Sequence, residues 1–267
     1  MTIGTGGFIA LNVVLKFGDG NMSNILVIPD SHCKPEASNR RFDWLGNLIA
    51  DKRPDVVVHL GDFYDMGSLC SYDKGKAGFV SKNYKGDIDA GHDAADRMFA
   101  RLRASKKKVP RRVFCEGNHE YRYHRLLDYE PQLKGELRAP APPGWEYNGF
   151  LVPVDIDGVT FQHYFVSGVM ARAISGEHPA ASIVKQHMIS AVSGHSHLVD
   201  YAERTRSNGE KVQSLVAGCF LDEDQVEEYA KPVQHMWRNC VSYLHDVRAG
   251  TYDLELISYE RLKKEYS

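Results

Sequence analysis

Three short apolar runs, 24–28, 56–60 and 113–115, each lead directly into a tight group of polar side chains. The first run leads into Asp30-Ser31-His32, the second into Gly61-Asp62-Phe63-Tyr64-Asp65, and the third into Gly117-Asn118-His119-Glu120. His163 and Gly194-His195-Ser196-His197 follow further apolar stretches. Apolar, β-branched runs of this length read as strands buried on both faces. The polar groups would therefore gather at strand ends. Glycine at 61, 117 and 194 lets the backbone turn sharply and come close to an ion or a phosphate.

Carboxylate, imidazole and amide oxygen without cysteine suit hard or borderline divalent ions such as manganese, zinc or iron. The seven candidates Asp30, His32, Asp62, Asn118, His163, His195 and His197 exceed what one tetrahedral ion takes. Two ions sharing a carboxylate would use all of them.

In this order the five pieces resemble the signature of the calcineurin-like metallophosphoesterases, D-x-H, G-D-x-x-D, G-N-H-[DE], H and G-H-x-H, over residues from about 24 to 220. The resemblance implies an α/β fold: a four-layer αββα sandwich of two mixed β-sheets flanked by helices, with the site at the carboxyl ends of the strands. It implies that Asp30, His32 and His197 hold one divalent ion, that Asn118, His163 and His195 hold a second, and that Asp62 bridges them. His119 would lie outside the ligands and face the leaving group, with Asp65 orienting its ring. Manganese is the first choice of ion, with iron, zinc, nickel and magnesium as alternatives. Two ions roughly 3.5–4 Å apart would activate a shared hydroxide for direct attack on phosphorus, and a near-neutral histidine would protonate the departing alkoxide.

The resemblance stops short of the phosphoprotein phosphatases. Their G-D-x-V-D-R-G and R-G-N-H-E set arginines beside the ions to grip a dianion, where this chain has Met66 and Glu116. A phosphodiester, nucleic acid or nucleotide-derived, is therefore the expected substrate. A phosphomonoesterase acting on nucleotides or phosphoproteins, or a non-catalytic metal-binding protein, is the alternative. Arg122, His124 and Arg125 follow the His119 turn and are candidate substrate contacts, with surface pairing as the plain reading. A more diffuse likeness is to small phosphoesterases of phages and prophages.

His59, inside a strand, reads as a packed or hydrogen-bonded residue. The basic run 106–112 precedes the third strand, which puts it at the end of the sheet away from the ions, as a solvated helix end. Residues 66–87 look like an insertion on the metal face, with Tyr72, Phe79 and Tyr84 among Lys74, Lys76, Lys82 and Lys85. It reads as a lid or as a platform tracking a phosphate backbone.

A chain of 267 residues without a Pro/Gly/Ser-rich linker reads as one domain over 22–267, preceded by an extension over 1–21 of undefined role. Net charge is −2, so no bulk field calls for nucleic acid or membrane. Five cysteines without a C-x-x-C pair suit reduced thiols in the cytoplasm. Helices are expected over 37–52 and 88–104, a short one over 121–127, and a hairpin around Asp157-Gly158. Residues 166–187 look mixed and largely helical. Residues 201–257 look like strands completing the second sheet, followed by a charged helical tail.

Overall fold

The computed structural model describes residues 22–76, 79–227 and 230–267, so the extension over 1–21 lies outside the described residues. The first sheet runs β13-β12-β1-β2-β3-β4, with β1 (Ser23–Ile28), β2 (Val56–His59), β3 (Arg111–Cys115) and β4 (Glu146–Asn148) parallel, and β12 (Cys240–Arg248) and β13 (Thr251–Ser258) antiparallel along the β1 edge. The second runs β10-β11-β9-β6-β5, formed by β5 (Val154–Ile156), β6 (Val159–Phe161), β9 (Ser190–Ser193), β10 (Val199–Thr205) and β11 (Lys211–Ala217). A small hairpin, β7 (Val166–Ser167) and β8 (Arg172–Ala173), stands apart.

Strand alternation sorts the core into three layers. Ile25, Val27, Val56, Val58, Val113 and Cys115 of the first sheet meet Phe161, Val192 and Leu215 of the second. Their alternate neighbours Leu26, Ile28, Val57 and Phe114 point the other way, onto α1 (Arg40–Lys52), α2 (Tyr84–Ala104) and α5 (Tyr259–Tyr266). Ala191, Val212 and Val216 turn outward from the second sheet to α4 (Pro179–His187). Both faces of each sheet are thus covered, which is why the strands read as continuous apolar runs. The architecture is the expected αββα sandwich of two mixed sheets.

Three details differ from the sequence reading. The strands after β11 do not join the second sheet: β12 pairs with β1, and β13 with β12. Which sheet a strand joins is a long-range pairing that local alternation does not encode. Residues 166–187 hold the β7–β8 hairpin before α4 rather than continuous helix. Helix α2 starts at Tyr84, four residues early, because the Asn83 side chain caps it by accepting from the Gly86 N–H. The Asp157-Gly158 turn has φ of 52° and 86°, the doubly left-handed turn that a two-residue hairpin requires.

Candidate metal centre

All the polar groups lie just past the carboxyl ends of parallel strands: Asp30 and His32 after β1, Asp62 and Asp65 after β2, Asn118 and His119 after β3, His163 after β6, and His195 and His197 after β9. Since β1, β2 and β3 belong to one sheet and β6 and β9 to the other, the site straddles the top of the sandwich. Bonds between the sheets tie it together. The His163 Nδ1–H donates to the Leu60 carbonyl at 2.8 Å, and the His195 N–H to Asp30 Oδ1 at 2.8 Å.

The backbone here is strained. His32, Asp62, His195 and His197 have φ of 42°, 50°, 70° and 60°, a left-handed region that costs a side-chain-bearing residue roughly 1–2 kcal/mol. Such strain persists where surrounding structure over-determines it, and it clusters at functional sites. The surroundings are three buried side chains to which sequence reasoning gave no bracing role. Glu120 accepts from the N–H groups of Asp62, Tyr64 and Gly117 at 2.9, 2.8 and 3.0 Å. His59 accepts the Gly61 N–H at Nδ1 (3.2 Å) and donates from Nε2 to Ser31 Oγ (2.9 Å), so it is hydrogen-bonded, as expected, and braces two of the turns. Arg41 is fully buried and donates to the carbonyls of Ser31, Ser38 and Phe220. Only the Glu120 signal was present in the motif itself.

The side chains converge in two groups. His197 Nε2 lies 3.2 Å from Asp30 Oδ2 and 3.3 Å from His32 Nε2. His163 Nε2 lies 3.4 Å from Asp62 Oδ2 and 2.9 Å from Asn118 Oδ1, with the His195 ring centroid 5.1 Å from that of His163. Asp62 Oδ2 stands between the groups, 4.0 Å from His32 Nε2. Two ligands about 2.1 Å from a tetrahedral ion stand about 3.4 Å apart, so these spacings fit divalent cations. The charge balance fits as well. Asp30, Asp62 and Asp65 are buried together, and uncompensated buried carboxylates are costly. Burial opposes the ionised form of Asp30, but His197 holds its carboxyl down at about 2. Burial likewise disfavours charged imidazoles, yet the Asp65 hydrogen bond pushes His32 up to about 9, and the Asp62 charge does the same for His163. His195 goes the other way, down to about 4, through burial and the charge of His163.

A third cluster, His32, Asp65 and His119, is geometrically close but already engaged. Asp65 Oδ1 is 3.1 Å from His32 Nδ1 and 3.4 Å from His119 Nδ1. His119 Nδ1–H donates instead to the Asp65 backbone carbonyl at 2.7 Å. The ring of His119 is therefore oriented by the main chain of Asp65, while the Asp65 carboxylate sits closer to His32.

Of the substrate candidates, Arg122 reaches the site and His124 and Arg125 do not. Arg122 donates to the carbonyls of Asp65 and Met66 at 2.9 and 3.2 Å and stands 3.0 Å from His119 Nε2. His124 Nε2 pairs with Glu116 Oε1 at 2.9 Å, and Arg125 is exposed. Glu116 turns away from the carboxylates, accepting the Phe150 N–H at 2.7 Å. Of the four lysines after Asp65, Lys76 and Lys82 pair with Asp73 and Lys85 with Asp89, while Lys74 is exposed. The basic run 106–112 leads into the start of β3, at the other end of the sheet, where Arg111 pairs with Glu146 at 2.8 Å.

Residues 23–173 match the sequence family described as calcineurin-like phosphoesterase. No curated protein sequence matches the chain. Among solved structures, YfcE, a phosphoesterase from E. coli, is 12% identical, with 88% of this chain and 100% of that one covered and a TM-score of 0.37. The protein TT1561 of Thermus thermophilus is 10% identical over 88% of this chain and 99% of its own, with a TM-score of 0.39. Among the described residues no helix is long and apolar enough to cross a membrane.

Proposed function

Because the chain belongs to the calcineurin-like phosphoesterase family, whose members act on phosphate esters, we propose that it is a dinuclear metal-dependent hydrolase with a preference for phosphodiesters. The observation that carries this reading is the pair of side-chain groups meeting at Asp62. Asp30, His32 and His197 would hold one divalent ion and Asn118, His163 and His195 the other, with Asp62 within reach of both. Manganese suits these oxygen and imidazole donors best. When bound, two such ions lower the pKa of a water and neutralise the phosphoryl oxygens.

The chain's own residues supply the rest. His119, held at Nδ1 by the Asp65 carbonyl, hands a proton from Nε2 to the departing alkoxide and is left with its proton on Nδ1. The diester preference is supported by the buried Met66 and by Glu116, engaged by Phe150 and His124, at the positions where phosphoprotein phosphatases carry arginines. Arg122 favours the second reading, a monoesterase, because a guanidinium beside His119 suits a dianion. Five free thiols, four of them buried, support a reducing cytoplasm.

The test is kcat/KM for bis-aryl against mono-aryl phosphates on one Mn²⁺-loaded preparation. A higher value for the bis-aryl ester is expected. A clear monoester preference with turnover of phosphopeptides removes the diester claim. Absence of both bound metal and turnover under every loading condition removes the hydrolase.

A further inference from the structure

A ridge of aromatic rings, drawn from three separate segments, borders the His163–His195 side of the site. Tyr121, at the start of α3 (Tyr121–Tyr129), stacks on Phe150 with ring centroids 4.6 Å apart and planes 22° from parallel. Phe150 meets Tyr164 at 5.6 Å and 79°, and Tyr164 lies against His195 at 4.6 Å and 45°. All three rings are half-buried, whereas the core rings Phe63, Phe114 and Phe161 are 1%, 0% and 0% exposed. Aromatic surface is thus kept at the mouth of the site. On the opposite flank the half-buried Trp237 packs edge-on against His197 at 4.1 Å.

The ridge is braced from beneath. Glu116 is 2% exposed, and a carboxylate so buried is costly unless bonded. Its Oε2 accepts the Phe150 N–H at 2.7 Å and its Oε1 lies 2.9 Å from His124 Nε2. The residue standing where a phosphate-gripping arginine would sit in the phosphoprotein phosphatases thus fixes the loop that carries Phe150.

Every nucleobase offers a π-face, and stacking on an aromatic side chain changes affinity about five- to hundredfold. We propose that the Tyr121-Phe150-Tyr164 ridge is a stacking subsite for the base of a nucleotide-derived phosphodiester. The proposal rests on the phosphoesterase reading above and names its substrate class. The base lies along the ridge and the phosphate reaches the carboxylate and imidazole groups beyond His195. Specificity then comes from ring faces rather than from the lysines of the 66–87 segment, of which Lys76, Lys82 and Lys85 are paired with acids.

Adenosine 5′-monophosphate and ribose 5-phosphate share phosphate and sugar and differ in the base. Titrated by calorimetry into Mn²⁺-loaded protein, the nucleotide should bind at least about fivefold tighter. Saturation-transfer NMR should label the base protons more strongly than the ribose protons. Phe150→Leu and Tyr164→Leu should each shrink the affinity ratio by about threefold or more, and Tyr164→Phe, which keeps the ring, should preserve it. Equal affinities in the wild type, no measurable nucleotide binding, or a ratio that survives both leucine substitutions overturns the proposal. Turnover of a bis-aryl phosphate on the same preparation separates the two readings. Turnover without a base preference removes the subsite alone, and a base preference without turnover removes the hydrolase and leaves a nucleotide-binding ridge.

Discussion

The guanidinium of Arg122 stands 3.0 Å from Nε2 of His119, one helical turn behind it. Since a guanidinium can only donate, Nε2 accepts, and the remaining ring proton is on Nδ1, directed at the Asp65 carbonyl. His119 is thus in the neutral tautomer that remains after a proton has been given away at Nε2. Arg122 also donates to the Asp65 and Met66 carbonyls, so one side chain holds both the acid and the turn that orients it.

His119→Asn should keep the bound metal and lose about 10²–10⁴-fold in kcat on alkyl esters, with a much smaller loss on p-nitrophenyl esters, whose leaving group needs no proton. Metal content by mass spectrometry and a leaving-group series check this. Equal losses across the series would remove His119 as the acid.

Arg122→Met should lower kcat/KM about tenfold on alkyl esters, since two bonds to backbone carbonyls, charge-assisted and net about 1.5–3 kcal/mol each, then no longer steady the Asp65 turn. An effect confined to KM for monoesters would instead make Arg122 a phosphate contact.

Metal loading should stabilise the fold itself. Asp30, Asp62 and Asp65 are buried side by side, and a ligand that binds only the folded chain adds about 2.7 kcal/mol at a hundred times its Kd. For a chain of this size that corresponds to a Tm increase of about 5–10 °C with Mn²⁺, reversed by chelation. Asp62→Asn, which weakens the shared carboxylate, should abolish most of the increase in differential scanning fluorimetry. An undiminished increase would show binding elsewhere.

The strands that carry the site were legible because their signal is local. Residues 25–28 and 56–58 are apolar throughout, a pattern forced by burial on both faces, and each run stops close to where the polar turn begins. The spacing of Gly117, Asn118, His119 and Glu120 is local too. What braces the turns was not legible. Arg41 looks like an ordinary helix-surface arginine, and its partners lie at Ser31 and Phe220, the latter 179 residues away. Tyr121, Phe150 and Tyr164 form a ridge only after β3, β4 and β6 are in place, and no periodicity links them. The β12–β13 pair was misplaced for the same reason.

Glu255 provides a pH test remote from the site. It accepts from Lys52 Nζ at 2.8 Å and Arg261 Nη1 at 3.0 Å, and lies 2.9 Å from His245 Nε2. Burial opposes its charge more than any one partner favours it, but the partners together, Lys52 foremost, hold its carboxyl at about 2, below an ordinary glutamate at 4.5. A depressed carboxylate contributes stability that is complete above 4.5 and disappears as pH falls through about 2. After allowance for solvent screening, the contribution is about 1–2 kcal/mol. Glu255→Gln should therefore unfold in less urea than the wild type at pH 7, with the gap narrowing between pH 4.5 and 2. A gap that stays constant over that window would mean that lost packing, not charge, destabilises the variant.

Two glycines separate the two ion sites experimentally. A Cβ at Gly194 would lie 2.2 Å from Asp30 Oδ1, and one at Gly117 would lie 2.2 Å from both the N and Oδ1 of Asp62. Neither contact is tolerable: Gly194→Ala pushes on the Asp30 carboxylate, and Gly117→Ala pushes on the Asp62 main chain as well as its carboxylate. Gly194→Ala displaces Asp30, which serves the His32–His197 group alone, so metal content should fall from two ions toward one. Gly117→Ala displaces Asp62, which faces both groups, so content should fall toward zero. Gly149→Ala, whose Cβ would come no closer than 3.8 Å to any neighbour and whose backbone, like that of Gly117 and Gly194, is not left-handed, controls for replacing a glycine without a clash. Far-ultraviolet circular dichroism should be unchanged in all three variants, because strands β9 and β3 end before these turns begin. Equal metal loss from Gly194→Ala and Gly117→Ala would contradict the separate roles of Asp30 and Asp62, and full retention in Gly117→Ala would remove Asp62 as the shared ligand.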